Sequence, residues 1–520
     1  MSRPNTEQQP APRPTTGPVL PGPVAAPDAQ AWARVQHFFL LQEHEGLEPP
    51  PEGALPALLG SFRDPTALRT DYPLMLSVDG DGAPAVQGFE QAVNEALDGR
   101  SSRLLGDNLP RLHHLCQQQV VQAAPVQAQD VLRQAGAKML KALDLSSPHD
   151  DSLRAEVEAL AKSLPGSAQF LGLSAQTPVH LGVHVATHQT RRHRQALMAR
   201  VKTAHSRITD LLHAERQKDE GATAPDTIKI GMGPVGASLL NPMALSQVLG
   251  AHRGAQKMAP ERRQRLQTAH DTLQSWLTSS DPTCVLLHDG LLDDLTPAAL
   301  IATELESVPS PAEAAVQRFE AQASAWAPRF VALRVAELEL KGAWDEAEHG
   351  PWLRGLTWAG LSPQELLCLP PVVAVVPGAE AANDGLLATS RALASGRPVK
   401  ILALVHPAQD PRAAQAEGYR LELAYLGMSH RQAYVLQSSA ARPEHLTGGL
   451  QAGLGAARAG LFLVSQAQDS LAEAFAVGPW LAASAAIEAR AHPLLTYAPD
   501  ADSTWRKRLS LDGNPQTSAG

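Results

Sequence analysis

From Ala29 to Gly46 the apolar residues Trp32, Val35, Phe38, Phe39 and Leu41 recur at helical spacing, and Gly46 with Pro49-Pro50-Pro51 closes the segment. Between Leu58 and Leu145 short helical patterns alternate with turn signals such as Asp79-Gly80-Asp81-Gly82, and Leu74 to Val78 is the plausible strand. Ser152 to Leu164 reads as another helix, and Thr177-Pro178 starts a long one that runs to about Glu215. The polar, Gly- and Pro-marked stretch from Lys218 to Pro225 reads as a hinge. Beyond it, Asn241-Pro242 and Pro260 each open a helix, Cys284 to His288 is a short apolar run, and helices are expected again from Pro311 to Leu340.

After Pro370 the pattern changes. Apolar runs at Val372 to Val376, Val399 to Val405, Ala433 to Leu436, Leu461 to Val464 and Pro493 to Tyr497 alternate with helical segments, among them Gly385 to Ala394 and Pro443 to Ala459. Such alternation predicts βα units around a parallel sheet. The expected organisation is a Pro-rich tail over 1–29, a mainly helical region over 30–217, a second over 226–364, and an α/β domain over 365–516. The tail carries eight prolines between Pro4 and Pro27 and no apolar core of a secretory signal, so a cytoplasmic location is expected.

Composition narrows the function classes. The 520 residues hold 44 basic and 53 acidic side chains, a net charge of −9, and 4% aromatics, which leaves no overall footprint of nucleic-acid binding. No membrane span is expected; the Ala- and Ser-rich stretch from Leu481 to Ile487 is too short. Cys116, Cys284 and Cys368 form no CxxC pair, which argues against a zinc knuckle, a chain-borne iron–sulfur cluster or disulfides.

Three local patterns invite chemistry. Gly231-Met232-Gly233-Pro234-Val235-Gly236 is a formal GxGxxG after Thr227 to Ile230, but Pro242 interrupts the helix that a dinucleotide loop needs and no second strand follows, so a turn between helices is expected. His180, His184 and His188 recur every fourth residue on one helix, a spacing at which adjacent imidazoles can share a metal, yet no acidic residue lies among them. Arg191, Arg192, Arg194, Arg200, Lys202, Arg207, Arg216 and Lys218 form a basic stripe without aromatics, read as a solvated helix face, with an acidic protein partner as its alternative. GxSxG, GxxxxGK[ST] and HExxH are all absent.

Residues 371 to 516 resemble the C-terminal thiamine-diphosphate-binding domain of the pyruvate:ferredoxin (2-oxoacid) oxidoreductase family. The resemblance rests on Val372 to Val376 closing on Gly378, on Gly385 to Gly396 with its Leu393-Ala394-Ser395-Gly396 end, on Pro398 to Leu404, on Tyr434 to Ser439, on the helix after Arg442-Pro443, and on His492 to Pro499 with Asn514-Pro515. In that family a divalent ion ligated by a GDG opening and a later Asn holds the cofactor. Here the opening reads Gly378-Ala379-Glu380, and His406 to Ala413 stands where the Asn is expected. Gly378, Glu380, Asp384 and Asp410 are the residues that could face thiamine diphosphate if it binds. No cysteine follows Cys368, so no proximal cluster can form. The resemblance with these losses implies a non-catalytic interaction or assembly subunit, with no cofactor expected and a protein partner or a homo-oligomer expected. The alternative is an active 2-oxoacid oxidoreductase subunit that binds thiamine diphosphate with Mg²⁺ and draws iron–sulfur clusters from partner chains.

Overall fold

In a computed structural model the described residues are 71–98, 102–120, 124–216, 218, 224–250, 257–295, 300, 302–405, 422–466, 479–488 and 492–514. The expected tail, the helix from Ala29 to Gly46 and Asp410 lie outside them. Residues 70–468 and 480–520 fall in one compact unit.

The expected strand appears as β1, Leu74–Val78, in a four-stranded antiparallel sheet with β2 (Pro84–Gln87), β3 (Val126–Gln127) and β4 (Gln169–Leu171), in the order β2-β1-β4-β3. Its period-2 alternation sends Leu74 and Leu76 to one core and Met75 to another. The second of these cores is closed by four helices, α1 (Phe89–Leu97), α2 (Arg103–Gln119), α3 (Ala128–Leu143) and α4 (Ser147–Ser163). Close packing fixes small residues there: a Cβ on Gly136 in α3 would sit 2.4 Å from Cγ1 of Val157 in α4.

Next comes α5, Thr177–Arg216, 40 residues and about 60 Å long. Its first turns bury Val179, Leu181 and Val185 beside β1, and its later turns bury Leu197, Val201, Ile208 and Leu212 in a different core. Two short helices follow, α6 (Pro225–Leu239) and α7 (Pro242–Gly250), and then α8 (Pro260–Thr278). Asn241 caps α7, its Oδ1 accepting from the amides of Met243 and Ala244.

The second sheet has eight strands. β5 (Cys284–His288), β6 (Thr303–Ser307), β7 (Val372–Pro377), β8 (Lys400–Val405), β9 (Tyr434–Ser439) and β10 (Gly460–Ser465) are parallel, while β11 (Leu495–Tyr497) and β12 (Leu509–Ser510) add antiparallel pairs. The order is β12-β11-β9-β10-β8-β7-β5-β6. Alternation along the strands splits the core cleanly: Val285, Leu287, Val372, Ala374, Ile401 and Ala403 face one side, and Leu286, Val373, Val375, Leu402, Leu404 and Val464 the other. Both faces are covered, as a parallel sheet requires. The helix α9, Pro311–Leu340, with α8 and α13 (Leu386–Ala394, preceded by α10 at Glu346–Arg354, α11 at Pro363–Leu366 and α12 at Gly378–Ala382) covers the first. On the other side lie α5 and, beyond α14 (Leu423–Ser429), α15 (Pro443–Leu454).

An α/β architecture with a mostly parallel sheet is therefore present, but the sheet does not begin at residue 365. β5 hydrogen-bonds to β7 in the register Val285 with Val372, Leu286 with Val373 and Leu287 with Ala374, so strands of the expected second helical region are integral to it. The physical reason is that β7 at the edge of a sheet would leave a row of unpaired amides and carbonyls over an apolar surface. The actual edge strand β6 reads Thr-Glu-Leu-Glu-Ser, and its Glu304 and Glu306 accept from Arg318 at 2.8 and 2.6 Å. Of the region expected to be helical over 30–217, the described residues from 71 to 216 are mainly helical with a small sheet added.

Arg194, one of the basic stripe, ties α5 to this sheet. Its guanidinium donates to the carbonyls of Cys368, Asp281 and Pro282 at 2.8, 3.2 and 2.7 Å and lies 5.0 Å from the centre of the Trp326 ring. Burial lowers its pKa to about 10. Arg194→Ala leaves three carbonyls without this donor and is expected to cost about 3 kcal/mol in urea unfolding at an unchanged denaturant slope. Arg194→Lys should recover only part of that, because an ammonium cannot reproduce the planar fork.

Candidate functional site

In open α/β sheets ligands enter beyond the carboxyl ends of the strands, where neighbouring strands send their connections in opposite directions. Here that point lies between β5 and β7: β5 leads outward to β6, and β7 leads the other way to β8. At the end of β5, buried His288 accepts through Nδ1 from the amides of Gly290 and Leu292 at 3.1 and 3.4 Å, which shapes the turn and presents Asp289 at the surface. Gly290 takes φ 103°, the left-handed region open to glycine.

At the end of β7 the chain passes so close to β8 that a Cβ on Gly378 would lie 2.9 Å from Cγ2 of Val405 and 3.0 Å from the carbonyl oxygen of Leu404. Gly378 is thus a packing requirement. The backbone oxygen of Glu380 accepts from the amides of Asn383 and Gly385 at 3.0 and 2.9 Å and closes the turn from α12 into α13. Its side chain hydrogen-bonds Asp289, and Glu380 is held above the ordinary carboxylate range by partial burial first, then by that hydrogen bond and by the negative charges of Asp289 and Asp384. The structure therefore brings together Gly378, Glu380 and Asp384 as the sequence placed them and adds Asp289 from a strand that had been read as an isolated apolar run. Asp410 lies outside the described residues.

The fit to a diphosphate cofactor is poor on these residues. A hard divalent ion wants several ionised oxygens around one point, whereas burial and Asp289 raise the pKa of Glu380 and make its ionised form more costly. Among the described residues no group of three His, Cys, Asp or Glu side chains could hold a metal ion. The crevice is acidic, which opposes a diphosphate entering without its ion.

The other sequence signals fall elsewhere. The three cysteines are buried and free. Thr227 to Ile230 is helical, the opening of α6, and Gly233 at φ 66° kinks that helix into two pieces, so the GxGxxG is a bend between helical turns. The basic stripe is broken up: Arg194 is structural, Arg200 is ion-paired to Glu337 at 2.9 Å, and Lys218 to Glu215 at 2.8 Å. Ser438 at the end of β9 meets Nδ1 of His445 at 2.9 Å, but it is fully buried and no substrate can reach it.

The helices α6 and α7 carry a surface feature that the sequence pattern had not singled out. Ile230, Val235, Leu239, Met243 and Val248 are 81%, 72%, 78%, 62% and 62% exposed. From Gly231 to Gly250 there is not one charged side chain. No protein-family model matches the sequence, and no curated protein matches it.

Because Glu380 has its proton-binding affinity raised in the folded state, its contribution to stability is present below the unfolded carboxylate pKa and is lost as pH rises through the raised value. Asp289→Asn removes two of the causes. Unfolding midpoints in urea measured from pH 4 upward should fall less steeply with pH in this variant than in the parent chain.

Proposed function

We propose that this chain is a non-catalytic assembly subunit whose α/β half is a degenerate relative of the 2-oxoacid oxidoreductase thiamine domain. The observation that carries the reading is the uncharged stretch from Gly231 to Gly250 in the hairpin of α6 and α7, with its apolar side chains turned outward. Water-exposed apolar side chains gathered on one element mark an interaction surface, and depletion of charge is characteristic of interface cores. The two helices, 15 and 9 residues long, are of the size of one side of a standard interface, about 20–30 residues.

The occupant proposed for this surface is a second copy of the chain. The same molecule presents a groove of about 880 Å³ between α8 and α9, walled by Ala269, Val331, Ala332, Val335 and Leu353 with Trp344 at its end. Glu261, Arg265, Glu346 and Arg354 also line this groove; the apolar hairpin and the groove's apolar wall on one chain would be complementary halves of an exchange between copies. The crevice between β5 and β7 supports the non-catalytic part of the reading, since it sets the Glu380 carboxyl, its pKa raised by burial and by Asp289, where the thiamine family keeps an ion.

Two measurements test this. Light scattering of the full chain at micromolar concentration should show a dimer or larger closed assembly, and Val235→Asp with Leu239→Asp and Met243→Asp should weaken it by about a hundredfold or more. Val331→Glu in the groove should have a comparable effect, and a monomeric parent chain overturns the proposal. Separately, thermal unfolding should show no magnesium-dependent rise in midpoint with excess thiamine diphosphate, whereas a ligand at about 100 times its Kd would add about 2.7 kcal/mol. Such a rise would reinstate the enzyme reading.

A further inference from the structure

Between the four-stranded sheet and the first turns of α5 lies a cavity of about 330 Å³, within the range of small-molecule sites. Its walls set several polar side chains among the apolar Leu76, Val78 and Val183. The helix contributes His180, His184, His188 and Arg191, and the strands contribute Ser77, Gln127 and Gln169. Burial pushes His180 and His184 down to about 4 and lowers His188 as well, so near neutral pH these rings act as hydrogen-bonding groups and not as charges.

Each imidazole has a distinct condition. His184 donates through Nε2 to the carbonyl of Ser77 at 3.0 Å and rests its ring 4.7 Å from that of His188. That nitrogen therefore carries a proton and is not offered to a metal, and the His stripe does not converge on a cation. His180 is 3% exposed and its Nε2 has no hydrogen-bond partner, an arrangement that costs stability unless something supplies one. Arg191, one helical turn beyond His188, is exposed at the mouth, and its guanidinium has no ion-pair partner among the described residues, unlike Arg200 on the same helix.

We propose that this cavity binds a small organic oxyanion, its carboxylate or phosphate group paired with Arg191 and its uncharged polar body hydrogen-bonded by the His188 face of α5 and the glutamines of the sheet. One free cation at the mouth of a polar, otherwise uncharged pocket selects a single negative group, and a planar guanidinium suits two parallel hydrogen bonds to it. The site is separate from the crevice between β5 and β7 and from the hairpin, so it stands whatever becomes of the assembly reading.

The test is titration calorimetry on the full chain with inorganic phosphate, glycerol phosphate and succinate at millimolar concentration; the first two against the third separate a phosphate from a carboxylate preference. Saturable binding of at least one probe is expected, weakened about tenfold or more by Arg191→Ala and reduced by His188→Ala. Arg207→Ala, which removes an exposed charge from the same helix away from the cavity, should leave it unchanged. Because Arg191 is exposed, its variant should fold, and circular dichroism checks this. Equal losses in Arg191→Ala and Arg207→Ala would reduce the effect to general electrostatics and overturn the site. Absence of saturable binding by all three probes would overturn it as well, as would zinc binding that is lost in His184→Ala.

Discussion

The pairing of β5 with β7 is the constraint on which the remaining architecture depends. It joins a strand from before α9 to one after it, so the 30-residue helix has to cross the sheet face to connect them. The segment just before β7 is held from several directions: Gln322 of α9 donates to the carbonyl of Pro370 at 2.7 Å, the amide of Val285 to that of Pro371 at 3.0 Å, and Arg194 of α5 to that of Cys368. Long helices on opposite faces thus read the position of one short stretch of backbone. The same pairing creates the reversal of connection direction that sets Asp289 beside Glu380.

How much of this was legible in the sequence follows from what each residue reports. Strands buried on both faces, such as Val372–Pro377 and Gly460–Ser465, are unbroken apolar runs and stood out. β6 did not, because an edge strand alternates Leu305 with Glu304 and Glu306 and looks like a polar loop. β2, β3 and β4, at 4, 2 and 3 residues, are shorter than any window in which a period can be recognised. Thr227 to Ile230 carries β-branched residues, yet Pro225 opens a helix there and Ile230 ends up exposed, a case where the helix start outweighs propensity.

Site legibility divides in the same way. Gly378, Glu380 and Asp384 lie within a few positions of one another, so a local pattern placed them. Asp289 is remote in sequence, and only a hydrogen-bonded register brings it to Glu380. The state of Glu380 is a property of that meeting and of burial, neither of which is written in a local motif. The His stripe was visible by its spacing; that its rings face a small polar cavity instead of water depends on the four-stranded sheet, most of which was invisible.

At both ends of the large sheet burial shifts the titration of an ionisable group toward its neutral form. At the amino end Lys400 is 1% exposed, its Nζ donates to the carbonyls of Ala456 and Arg458 at 2.8 and 2.5 Å, and burial brings its pKa down to about 7. At the carboxyl end partial burial, and after it Asp289 and Asp384, raise the pKa of Glu380. A sheet that catalyses phosphate- or metal-dependent chemistry maintains charge at its carboxyl end against the cost of desolvation, because the ligand repays it. Glu380 meets part of that cost through its hydrogen bond with Asp289, which itself lies at the solvated surface. The apolar hairpin presents the converse case. Its 20 uncharged positions from Gly231 to Gly250 forgo the solvation that helices such as α8 and α9 obtain from Arg and Glu, a cost that exclusion of water from the hairpin would offset.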